Sequence, residues 1–198
     1  MYPETIKKLI ECFKKLPGIG EKNAERLALS CLAMDDDIIN TFSSTLKDVK
    51  IKITNCKTCG NYSETEYCPI CEDETRSKDI ICVVEESKNI IAFEKIGKYN
   101  GTYHVLNGLI SPLDGINPED INIESLITRI KTEKPKEVII AVRPTIEGET
   151  TALYIQKLLK DENIKVSKLA QGVPMGADID YMDPLTLEVA LSTRSEIS

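Results

Sequence analysis

The chain has one histidine, His104, no apolar run close to the roughly 18 residues of a membrane span, no internal repeat and no low-complexity tract. Positive charge is also short: 25 Lys and Arg face 32 Asp and Glu, a net charge of −7. Each shortage excludes something. With one histidine, any multi-ligand metal site must draw on other donors, and His104 lies within an apolar stretch, where a packed, hydrogen-bonded core role is expected in place of a catalytic base. The first residues mix charged and apolar groups at helical spacing, so no targeting segment is read there and a cytoplasmic protein is expected. The 198 residues suffice for one large or two small domains with a real core. The negative charge is uneven: Met1 to Asn55 holds nine basic against eight acidic residues, +1, and the remainder 16 against 24, −8. Any contact with a polyanion is therefore expected near the N-terminus.

Cysteine is the residue in surplus. Four of the seven form Cys56-Lys-Thr-Cys59 and Cys68-Pro-Ile-Cys71, with eight residues between the pairs. Each Cys-x-x-Cys can turn tightly and aim two thiolates at one centre, and four thiolates complete the tetrahedron zinc prefers. With every position taken by sulfur and His104 far downstream, no coordination site is left for water or substrate, so the zinc is expected to be structural, one per chain. The alternative is unmetallated thiols or two redox pairs, but a thioredoxin-type motif uses one such pair at a strand-to-helix junction, not two in a hairpin. Cys12, Cys31 and Cys82 sit in apolar patterns as small hydrophobes, which suits a reducing compartment.

Ahead of the cysteines, Ile6, Leu9, Ile10 and Phe13 have amphipathic-helix spacing over Pro3 to Lys15, and Leu16-Pro-Gly-Ile-Gly ends that helix. A second helix opens near Glu21 and is expected to bury Ala24, Leu27, Ala28, Cys31 and Leu32. Gly18 and Gly20 can take backbone angles closed to other residues, leaving amides outward at the start of that helix. Such a helix start attracts phosphate, and Lys22 and Arg26, one turn apart, add full charges. Lys14 and Lys15 lie beside the turn. Two simpler readings stay open: an αα-hairpin whose glycines only cap, and lysines that are solvated charges at a helix end. Asp35 to Lys52 reads as a further helix with an acidic start.

After the cysteines, unbroken apolar runs at Ile80 to Val84, Tyr103 to Leu106, Val138 to Val142 and, more weakly, Ile164 to Leu169 read as strands buried on both faces. Helical stretches near Lys88 to Ile96, Ile123 to Lys131 and Thr150 to Lys160 separate them, as in an α/β domain with a mainly parallel sheet. Asn107 to Asn122 is a long loop suited to binding or an interface. Glu85 ends the first strand, at the sheet edge where α/β folds place their sites, and a later strand runs into Arg143-Pro-Thr145-Ile-Glu147-Gly148-Glu149. Asp178, Asp180 and Asp183 could be drawn as a metal cluster, but such turns usually cap helices, and Asp183-Pro184 is placed to start one reaching Ser192.

Leu16-Pro-Gly-Ile-Gly-Glu-Lys-Asn-Ala-Glu-Arg resembles the helix-hairpin-helix motif that grips nucleic-acid backbones without reading sequence. The stretches around Glu85 and Arg143 resemble the Toprim domain, in which a glutamate and an Asp-x-Asp pair hold magnesium; here Arg143 and Thr145 stand at the Asp-x-Asp positions. Glu85 and Glu147 alone would hold the ion only weakly, and an arginine there is expected to pair with the acids or, alternatively, to contact phosphate. The order of these parts, with the tail Gly172-Val-Pro-Met-Gly-Ala-Asp178-Ile-Asp180-Tyr181, resembles the bacterial RecR recombination-repair family over essentially the whole chain. That family more often has asparagine where Arg143 stands. The resemblance implies an α+β multi-part fold: a DNA-binding hairpin over 1–53, a zinc finger over 54–78, a Toprim domain over 79–171 and a C-terminal, intersubunit segment over 172–198. It also implies a non-enzymatic, ring-forming homo-oligomer, a tetramer, that encircles DNA and acts with RecO, and RecF in some settings, to place RecA on single-stranded gaps. A magnesium-dependent Toprim nuclease or primase-like enzyme is the alternative.

Overall fold

The computed structural model describes residues 2–194. The chain divides after Ile53 into two compact units. In the first, α1 (Glu4–Lys14) packs on α2 (Glu21–Leu32). Ile10 seats against Ala24 and Ala28, whose small side chains admit close approach of the helices, and Ile6, Leu9, Phe13 and Ile19 close around them. Leu27 and Cys31 are half-buried, whereas Leu32, expected in the core, is 66% exposed: it stands at the last turn of α2, beyond the stretch that α1 covers. Helix α3 (Asp36–Lys52) buries no residue, and Ile38, Phe42, Leu46 and Val49 form an exposed apolar stripe along it.

The second unit opens with the two-stranded antiparallel pair β1 (Thr54–Asn55) and β2 (Tyr62–Ser63), followed by the single turn α4 (Pro69–Glu72). An α/β layer follows: β3 (Ile80–Val84), α5 (Ser87–Ile96), β4 (Thr102–Val105), α6 (Ile123–Glu133), β5 (Glu137–Ala141), α7 (Ile146–Leu158) and β6 (Lys165–Lys168). The four strands are parallel in the order β4-β3-β5-β6, with Val83 level with both His104 and Ile140. Alternation along β3 explains its unbroken apolar run. Ile81 and Val83 pack on one face with Leu126 and Ile130 of α6 and Ile155 of α7. Cys82 and Val84 pack on the other face with Ile90 of α5 and Tyr103.

Helix α7 begins at Ile146, four residues ahead of the expected Thr150. The hydroxyl of Thr145 accepts a hydrogen bond from the Gly148 amide, and a Cβ on Gly148 would lie 1.8 Å from the Arg143 carbonyl oxygen. A glycine inside the first turn hides the helix from a propensity reading, yet only glycine fits there. After β6, α8 (Pro184–Ser192) is capped by Asp183, which accepts from the Thr186 amide at 2.9 Å. Asp178 caps the short turn Ile179–Tyr181 in the same manner, so these aspartates serve the backbone.

Candidate metal centre and nucleic-acid interface

The ligand sulfurs of Cys56, Cys59, Cys68 and Cys71 all lie within 4.8 Å of one another, and the Cys59 and Cys68 sulfurs are 3.5 Å apart. A tetrahedron with Zn–S bonds of about 2.3 Å separates its sulfurs by about 3.8 Å, so the donor set fits zinc. Backbone turns build the cage: the Gly60 amide donates to the Cys56 carbonyl, with Gly60 at φ 75°, and the Cys71 amide donates to the Cys68 carbonyl, both at 2.9 Å. Without a cation the sulfurs must share protons. The Cys59 thiol is pushed up, chiefly by its hydrogen bond to Cys68, and the same bond holds the Cys68 thiol down. A dication lets all four ionise together. Three of the four cysteines are buried and every donor is sulfur, which makes this a structural zinc centre. Its knuckle docks on the sheet: the Cys59 carbonyl accepts from the Val105 amide at 2.7 Å, on the outer edge of β4, and Gly60 lies where a Cβ would meet the Val105 carbonyl at 3.1 Å. The knuckle thereby satisfies a backbone amide at the end of this edge strand.

In the helical unit, Gly18 takes φ 77°, as its place in the turn requires. Gly20 does not use that freedom: at φ −85°, ψ 172° it is ordinary extended backbone. Gly20 is instead the N-cap of α2, with open space where a side chain would stand and no side-chain cap over the first amides. Lys22 and Arg26 are exposed and, among the described residues, form no ion pair; with Glu25, Leu29 and Ser30 they line a shallow groove. Lys15 is exposed as well. Lys14 is engaged, bridging Glu21 at 2.7 Å and Glu11 at 2.9 Å, and its pKa is pushed up to about 12, first through the hydrogen bond to Glu21.

At the C-terminal edge of the sheet, Glu85 follows β3 and Arg143 follows β5. These adjacent strands continue in opposite directions across the sheet, since β3 leads through α5 to β4 on one side and β5 through α7 to β6 on the other. The crevice between their ends is therefore the switch point where α/β folds place ligands. It holds an ion pair: Arg143 Nε donates to Glu85 Oε2 and Nη2 to Oε1, both at 2.7 Å. Glu147 makes no ion pair with Arg143, so the two acids of the expected site do not act as one cluster; its carboxyl is held down first by a hydrogen bond from Thr145. One carboxylate capped by arginine, with a threonine committed to a helix cap, does not fit magnesium. Among the described residues the four cysteines are the only group of three or more ligands close enough to hold a metal.

His104 is 1% exposed and donates from Nε2 to the Asn122 carbonyl at 2.9 Å; burial pushes its pKa down to about 4. Sequence reading missed two arginine struts. Arg129, buried among the sheet residues, donates to the Tyr103 carbonyl at 2.6 Å and the Thr102 hydroxyl at 2.8 Å and pairs with Glu133 at 2.9 Å. Arg76 clasps Glu94, which also accepts from the Tyr103 hydroxyl at 2.6 Å. A charged residue beside Leu126 and Ile130 on the apolar face of a helix was the one sequence signal for Arg129.

Known families cover nearly all of this architecture. Residues 6–50 match the family described as RecR, helix-hairpin-helix; 53–73 match the RecR zinc finger domain with four cysteine ligands; 79–170 match the Toprim domain; and 172–195 match the RecR C-terminal family. The chain is 52% identical over 196 residues to Recombination protein RecR of Staphylococcus haemolyticus (strain JCSC1435), covering 99% of both chains. The same identity and coverage hold for Recombination protein RecR of Staphylococcus aureus (strains JH9 and N315). A cysteine-caged zinc, a glycine-turned helical pair and a Toprim sheet joined in this order, with such identity end to end, place the chain in the RecR family.

Proposed function

We propose that this protein is a non-enzymatic DNA-binding clamp and scaffold in recombinational repair. The observation that carries the reading is the pair Lys22 and Arg26: exposed, one turn apart and, among the described residues, without an ion pair, beside the uncapped amides at the start of α2, within the family's helix-hairpin-helix. Gly18 supplies the turn, Gly20 keeps the approach to the amides open, and Lys15 adds charge; Lys14, held by Glu11 and Glu21, contributes less. Amides and point charges address phosphates without reading bases, so binding is sequence-independent. One such hairpin in a chain of net charge −7 binds weakly, and several copies in a ring, a tetramer by family resemblance, multiply the contacts. The exposed stripe on α3 and the unburied α8 are apolar surfaces that copies of the chain can cover. By the same resemblance the partners are RecO and RecF, the outcome is RecA loading at single-stranded gaps, and the compartment is the cytoplasm. No helix among the described residues is long and apolar enough to cross a membrane.

The test is Lys22→Ala with Arg26→Ala, read by DNA affinity across a salt series. Affinity is expected to fall with unchanged folding, and the slope of log affinity on log salt to flatten by about two per protomer. Unaltered affinity would refute the assignment.

A further inference from the structure

The Toprim fold implies a divalent cation between the ends of β3 and β5, and the residues in that crevice disagree. We infer that the Arg143 guanidinium is itself the resident cation: it neutralises Glu85, ties the ends of the two strands together and closes the crevice to divalent ions.

The geometry is that of a lid. The Glu85 side chain is 9% exposed and that of Arg143 66%, so the guanidinium covers the carboxylate on its solvent side. Both Glu85 oxygens are engaged in a two-pronged hydrogen-bonded pair at 2.7 Å. A magnesium ion needs near-octahedral oxygens and keeps several waters, and here the buried carboxylate is reached only through a fixed positive charge. The neighbouring turn cannot rearrange to help. The Thr145 hydroxyl is the cap of α7, and the Arg143 carbonyl is wedged against Gly148 so closely that no side chain fits between them. Other acids surround the guanidinium without displacing Glu85: Glu86 bridges Lys88 at 2.7 Å, and Glu86 and Glu147 act on Arg143 through charge alone. The surrounding negative potential that would attract a metal ion instead secures the arginine.

The hairpin test does not touch this site, so the DNA-binding proposal and this one stand or fall separately. The experiment is Mn²⁺ binding to the zinc-loaded full chain, followed by electron paramagnetic resonance of the free ion, with Mg²⁺ as competitor. The natural chain is expected to show no stoichiometric site. Arg143→Ala is expected to gain weak binding at the single freed carboxylate, at least about ten-fold above that of the natural chain, that yields to Mg²⁺ and disappears in Arg143→Ala with Glu85→Gln. Arg143→Gln, neutral yet able to donate to Glu85, is expected to gain the same site if the alanine variant folds poorly, whereas Arg143→Lys gains none. Stoichiometric Mn²⁺ on the natural chain, or no gain in either neutral folded variant, overturns the inference.

Discussion

The two units of this chain solve opposite problems. The α/β unit buries both faces of a four-stranded sheet under α5, α6 and α7, fixes its buried polar groups through Arg129 and Arg76, and ties the zinc knuckle to the end of one edge strand. Among its described residues the helical unit buries only Ile10, Ala24 and Ala28, and it leaves Ile38, Phe42, Leu46 and Val49 of α3 exposed. Stability is thus concentrated in one unit and surface for contact in the other. A functional charge such as Lys22 or Arg26 costs little on a unit whose surface is mostly open, whereas the one charged pair at the sheet's switch point had to be neutralised in place.

Substitutions can break or sharpen that contrast. The largest effect belongs to the metal: Cys56→Ser, Cys71→Ser or chelation removes binding energy that in small zinc sites is about 10–16 kcal/mol, so the second unit is expected to lose its hairpin and much of its melting transition, read by calorimetry and zinc content. A stable metal-free protein would contradict the structural role. Next, Leu126→Ala in the fully buried face of α6 is expected to cost about 3 kcal/mol in denaturant titration, while Leu46→Ala, on the exposed stripe of α3, is expected to change the unfolding of an isolated chain by under about 0.5 kcal/mol. Equal costs at the two positions would erase the distinction between the units.

Acid separates them further. The folded pKa of His104 is depressed by burial to about 4 against about 6.5 in an unfolded chain, so the unfolded state binds the extra proton. Its stabilising contribution is complete above pH 6.5 and is lost as the pH falls towards 4, about 3 kcal/mol in all. His104→Gln should flatten the stability profile over that window. Glu94, held below the usual carboxylate range first by Arg76, adds acid sensitivity only at lower pH. The smallest effect on folding is expected for Lys22→Ala with Arg26→Ala, within about 0.5 kcal/mol, because both side chains are exposed and neither has an ion-pair partner among the described residues. Its consequence should appear in DNA affinity alone.

The cysteine spacing, the amphipathic first helix and the apolar runs of the strands could be read from the sequence because each depends on contacts a few residues apart, where period and spacing carry the information. The start of α7 and the role of Gly20 could not. Gly148 is present because of the Arg143 carbonyl beside it, and Gly20 keeps ordinary angles and leaves open space. Arg129 and Arg76 gave almost no local signal, since their partners lie 26 and 18 residues away. By itself the sequence determined the metal and its ligands, the helical pair and the alternation of strands and helices. Only the tertiary structure decided that Lys14 is neutralised while Lys22 and Arg26 find no ion-pair partner among the described residues, and that Arg143 takes Glu85 and not Glu147. A charge's partner is set by distances of a few ångströms between segments far apart in the chain, and no spacing rule contains those distances.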